Sequence, residues 1–239
     1  MILRGIVSTV ALIAAGTVCA QAPAGGAAGG QPLVEGRQYQ VLNPAVPQST
    51  PPGVVEVVEV FSYGCPACNQ ASPFVAKMRS KLPAKAKMVF VPASWNPSEA
   101  WPMFQRAYLT AQAMGVGEKM HEQVFDAVWR TGEIPLTDPS TGRLRPKPPT
   151  IEDAAKFYAA HAGVKAEDFV ATSKSFAIET KVGQADKLVK AYRAESTPTF
   201  VVAGKYKVDS HSATDFEGMT KIVLALVDRE LAGTGGNKK

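Results

Sequence analysis

Val54-Val55-Glu56-Val57-Val58-Glu59-Val60-Phe61-Ser62-Tyr63-Gly64-Cys65-Pro66-Ala67-Cys68-Asn69-Gln70 is the stretch on which the reading of this chain turns. From Val54 to Phe61 the residues are β-branched or aromatic, broken only by Glu56 and Glu59. That composition reads as a buried central strand. After Gln70 the pattern becomes helical: Phe74, Val75 and Met78 recur at helical spacing, and Lys77, Arg79 and Lys81 face solvent. Two cysteines therefore stand where a strand hands over to a helix.

Cys65 falls at the helix N-terminus with Pro66 at the first helical position, where a missing N–H is harmless and the fixed φ suits the helix. The unpaired N–H groups of the first turn point towards the Cys65 sulfur and favour thiolate over thiol. Cys68 lies about one turn further along the same face, within reach of a reversible disulfide. Pro73 reads either as a kink or as the start of a new helix. A structural bridge over two residues closes so small a loop that it adds little stability. Zinc wants four ligands, and the remaining candidates are Cys19 and the scattered His121, His161 and His211. Redox chemistry is the reading these residues favour, without metal or added cofactor.

Towards the N-terminus, Arg4 precedes a mostly apolar run from Gly5 to Ala15, and Val18-Cys19-Ala20 offers a cleavage site. The run is short for a spanning helix, so residues 1–20 read as a signal peptide, with cleavage after Ala22 as a second choice. Lipid attachment at Cys19 would want a small residue where Val18 stands, which argues against an anchor. An exported chain keeps only the Cys65/Cys68 pair, in an oxidising compartment where it can act as a disulfide donor. The whole chain of 239 residues carries a formal charge of +5, with no basic stripe interleaved with aromatics, so nucleic acid is not indicated.

Residues 21–34 form a flexible leader rich in Gly, Ala and Pro. Order is expected from 35, with Tyr39 to Leu42 as a short strand, and residues 35–96 form the first part of the sheet domain. Met88 to Val91 read as a second buried strand, parallel to the first. Residues 97–190 are largely helical. Their apolar stripes, including Trp101, Phe104, Phe125, Trp129, Phe169 and Phe176, are expected to be core. Thr150 caps a helix that ends at Gly163, and 135–149 is a Pro-rich basic loop. Residues 191–232 return to strands: Thr199 to Val202, a turn at Ala203-Gly204-Lys205, then Tyr206 to Val208. Thr214 and Glu217 fit a capping box before a final amphipathic helix, and 233–239 should fray as a tail. Pro198 belongs at an edge or strand start. If it lies beside the Cys65 turn, Thr197 can offer backbone groups to an extended peptide.

A strand, Cys-Pro-Ala-Cys at a helix start, a helical region, Thr-Pro opening a hairpin and a last helix together resemble the thioredoxin superfamily. More closely the chain is similar to the DsbA family of periplasmic thiol:disulfide oxidoreductases. The likeness is most specific at Glu59–Cys68 and Thr197–Tyr206. It implies an α/β thioredoxin-like fold with an inserted helical domain. By position, it implies Cys65 as nucleophile, Cys68 as its buried partner and Pro198 as the cis-proline beside them. Glu59 then matches the buried acid that relays the Cys68 proton. Pro66, Ala67 and Thr197 are expected to meet substrate. Reduced exported proteins are the implied substrates, and a membrane, quinone-linked protein the implied reoxidant. From the residues alone, a role for Glu59 stays open. Strand alternation separates it from Glu56, which, near the strand start, is expected to escape to solvent more easily.

Three features depart from the family pattern. Pro66-Ala67 stands where the best-known members carry Pro-His, removing one source of thiolate stabilisation. Thr197 looks more like the isomerase relatives, and the 135–149 loop is longer than is usual in the family. A disulfide isomerase or reductase of the same fold is therefore the alternative, although the leader is too short for a separate dimerisation domain. A redox-inert binding protein is the reading from another class.

Overall fold

The computed structural model describes residues 32–138 and 140–235. Cys19, the cleavage positions and nearly all of the leader lie outside the described residues. Five strands form one mixed sheet. In chain order they are β1 (Gln40–Val41), β2 (Val55–Phe61), β3 (Ala86–Pro92), β4 (Thr199–Val202) and β5 (Tyr206–Val208). Across the sheet the order is β1-β5-β4-β2-β3.

β2 is an interior strand, and every residue in it is buried. It pairs in parallel with β3, from Val55 opposite Ala86 to Phe61 opposite Pro92. On its other side it runs antiparallel to β4. A strand covered on both faces needs apolar side chains in near-continuous sequence, which the valine run supplies; Val54 falls just outside it.

Helix α1 (Pro66–Lys81) links β2 to β3 and continues unbroken through Pro73. Around the sheet lie α2 (Trp101–Ala113), α3 (Gly117–Trp129), α4 (Ile151–Ala162), α5 (Ala166–Ser173), α6 (Phe176–Ala191) and α7 (Phe216–Gly235). Helix α6 packs against both α2 and β3. Thr150 caps α4 as the sequence implies, in a reciprocal box with Asp153.

Several expectations need correction. Phe176 is not core: it is 85% exposed at the start of α6. Apolar character alone does not place a residue on the buried stripe of its helix. Asp215, not Thr214, caps α7, its Oδ1 accepting from the Gly218 N–H at 2.6 Å. The helix starts one residue later than the capping box implies, and Glu217 pairs instead with Lys221. Helix α7 also runs on to Gly235, past the tail boundary at 233. Pro198 precedes β4, an interior strand, so it stands at a strand start and not on an edge. No helix among the described residues is long and apolar enough to cross a membrane.

Candidate active site

The turn between β2 and α1 is held by its own backbone. The Cys65 N–H donates to the Ser62 carbonyl at 3.1 Å, and the Gly64 N–H to Ser62 Oγ at 3.2 Å. Gly64 permits a close approach: a Cβ there would lie 2.2 Å from the Glu99 carbonyl oxygen. Beneath the turn, Phe61 and Tyr63 pack edge-on against Tyr108, and Tyr63 edge-on against Phe125. The Tyr63 carbonyl accepts from Trp129 Nε1 at 2.8 Å. A rigid aromatic floor thus sets where the residue after Gly64 projects.

That residue is Cys65, the N-cap of α1, with Pro66 directly after it. Its sulfur accepts from the Cys68 N–H at 3.4 Å. Both cysteines are free thiols. Cys65 retains 6% exposure and Cys68 none. The hydrogen bond from the Cys68 side chain leads in pulling the Cys65 pKa down to about 6, burial opposes it, and the backbone N–H groups of the helix start assist. Burial and the neighbouring Cys65 push the Cys68 thiol up. The pair is therefore polarised, with the negative charge on the sulfur that solvent can reach.

The far wall comes from the other end of the chain. The Cys65 thiol is 3.6 Å from the Thr197 carbonyl oxygen, across 132 positions of sequence. The Thr197–Pro198 peptide is cis. Thus the structure brings Cys65, Pro66, Ala67, Cys68, Thr197 and Pro198 to one end of the sheet.

Glu59 lies deeper and is buried, one of its carboxyl oxygens having no hydrogen-bond partner. Burial first, and the Cys65 charge second, raise its pKa to about 8. Glu56 does not escape to solvent as expected: it is 1% exposed. Ser49 accounts for this, its N–H and hydroxyl both donating to Glu56 Oε2. The segment before β2 folds back over the strand start and covers it.

One residue near the site was missed in the sequence. His121 stacks on Phe90 at 4.0 Å, and its Nδ1 lies 2.9 Å from the Tyr63 hydroxyl. Burial lowers its pKa to about 3, with the Arg79 charge adding to the effect, so it is neutral at physiological pH. A signal was available, since His121 shares helical spacing with Val124, Phe125 and Val128 on the buried face of α3. Among the described residues no group of His, Cys, Asp and Glu could hold a metal ion.

A mixed sheet carrying a polarised Cys-X-X-Cys at a helix N-terminus beside a cis-proline defines a thiol:disulfide oxidoreductase of thioredoxin-like fold. The family model described as DSBA-like thioredoxin domain matches residues 56–221. A thiol:disulfide interchange protein DsbA from Pseudomonas syringae pv. tomato is 34% identical over 236 residues, covering 99% of this chain and 100% of the relative. The protein of that name from Pseudomonas aeruginosa is 36% identical over 197 residues, covering 82% and 85%. Among solved structures, oxidoreductase DsbA from Xylella fastidiosa superposes with a TM-score of 0.73 at 31% identity, over 83% of this chain and 98% of that one. The chain belongs to the DsbA family.

Proposed function

We propose that this protein donates a disulfide to exported polypeptides, with Cys65 as the sulfur attacked. In the disulfide form, a substrate thiolate attacks Cys65 and Cys68 leaves. Burial favours the neutral Cys68 thiol, so the departing sulfur takes up a proton. Glu59, with its pKa near 8, still carries one at neutral pH and is the donor in this reading. A second substrate thiolate then attacks the substrate sulfur of the mixed disulfide, and Cys65 departs as a stabilised thiolate. The products are a substrate disulfide and the Cys65/Cys68 dithiol.

The observation that carries this direction is the Cys68 N–H held 3.4 Å from the Cys65 sulfur. It stabilises the thiolate, hence the reduced form, and a stabilised reduced form makes the disulfide the stronger oxidant. Pro66, Ala67 and Thr197 are the residues we assign to substrate contact, with Pro198 holding the Thr197 carbonyl in place. The export signal read in residues 1–20 supports a periplasmic location, and a membrane, quinone-linked protein would take up the two electrons on each cycle.

The test is the equilibrium redox potential of the Cys65/Cys68 pair against glutathione. A value well above the glutathione couple is expected. A value of about −270 mV, in the range of thioredoxin, would overturn the oxidase direction and favour a reductase or isomerase.

A further inference from the structure

We propose that the cleft between the β3–α2 connection and the C-terminal end of α6 is a second substrate subsite, taking a large apolar or aromatic side chain of the polypeptide engaged by Cys65. This inference rests on the reading of Cys65 as the sulfur that joins the substrate. The cleft measures about 560 Å³, within the range that accepts a side chain or small ligand.

Two chains of contact tie it to the cysteine. On one wall, Trp95 is 43% exposed and packs on Trp101 at 5.1 Å. Trp101 in turn lies against Gly64, with its Cδ1 3.0 Å from where a Cβ would stand. On the other wall, Glu195 is two residues before Thr197, whose carbonyl faces the Cys65 sulfur. Exposed large apolar side chains among the described residues are Val34, Val41, Trp95, Leu144 and Phe176. Of these, Trp95 is the one joined by ring contact and packing to the cysteine turn.

The lining decides which side chain fits. Asp186 accepts from Ser94 Oγ at 2.7 Å and from Gln105 Nε2 at 2.8 Å, so its charge is satisfied within the fold. Arg193 donates to the Asn43 carbonyl at 2.8 Å. Lys190 and Glu195 carry opposite charges and give the cleft no net preference for an ion. What remains is the indole of Trp95 with Val189 and Ala194, an apolar lining joined to the cysteine turn through Trp101. In an extended substrate, residues two positions from its cysteine lie roughly 7 Å along the chain, on the same face.

The experiment uses the Cys68→Ser protein, which halts at the mixed disulfide. Two blocked heptapeptides, each with one central cysteine, carry either Phe or Ser two residues to both sides of it. Each is supplied as its mixed disulfide with glutathione. The Cys65 thiol exchanges into the peptide disulfide and glutathione leaves as a thiol; one S–S bond breaks, one forms, and no oxidant is consumed. Equilibrium constants are read by mass spectrometry. The Phe peptide is expected to be favoured about tenfold, the scale of one well-placed aromatic anchor. That preference should vanish in Trp95→Ala and persist in Trp95→Phe and in Phe176→Ala. Equal constants for the two peptides, or a preference that survives Trp95→Ala, would overturn the subsite. Failure of both peptides to join Cys65 would instead overturn Cys65 as the attacked sulfur, and the subsite with it.

Discussion

Replacing Glu59 with Gln tests a large electrostatic shift at a buried carboxyl beside the cysteine pair. Burial, with the Cys65 charge adding to it, raises the Glu59 pKa from 4.5 to about 8. The folded chain therefore holds a proton that the unfolded chain releases as pH rises through 4.5. Stability that is full below pH 4.5 declines until pH passes about 8. With one unit worth about 1.4 kcal/mol, the loss reaches about 3 kcal/mol at pH 7 and about 4 kcal/mol at pH 8. Gln cannot ionise, so Glu59→Gln should remove this slope. Urea unfolding of the disulfide form at several pH values, both chains side by side, is the assay. That form keeps Cys65 and Cys68 from titrating, and the larger cause, burial, persists in it. Near pH 4 the difference reports only packing and hydrogen bonding. By pH 7 the variant should have gained up to about 3 kcal/mol relative to that baseline, the part of the shift owed to the Cys65 charge being absent in this form. A difference that stays flat between pH 4 and pH 8 would refute the raised pKa, and with it Glu59 as proton donor to Cys68.

Thiolate absorbance of the dithiol form should show Cys65 ionising near pH 6, with Cys68 ionising only above the ordinary thiol value of 9.0. Because the Cys65 pKa is depressed, the dithiol gains about 1 kcal/mol at pH 7 and loses it as pH falls through 6; an ordinary first step near 9 would refute the helix N-terminus argument. Gly64→Ala drives a Cβ into the Glu99 carbonyl, and should cost roughly 1–3 kcal/mol in urea unfolding and slow exchange at Cys65. An unchanged midpoint would show that the turn yields there.

Much of the site was legible because its chemistry is local. Pro66 after Cys65 at a strand–helix joint specifies an N-cap geometry within a few residues, and the N–H groups aimed at the sulfur follow from helix termination itself. The β2 run reads as central for the same reason: few other residues tolerate burial on both faces. Failures came where neighbours distant in sequence decide. Phe176 looks like core until the helix face is known, and Glu56 looks free until Ser49 folds over it. Thr214 and Asp215 are both competent caps; which one serves depends on where packing starts the helix.

By itself the sequence determined the strand–cysteine–helix unit, the hairpin and the redox class, because these rest on propensities and bond geometry within one or two turns of chain. Tertiary structure alone decided that Thr197 faces Cys65 across 132 residues, that His121 stacks under the turn, and that Trp95 borders a cleft. Only folding brings such groups into contact. The burial that shifts the pKa of Glu59 likewise depends on side chains drawn from the whole core, and no local pattern encodes it.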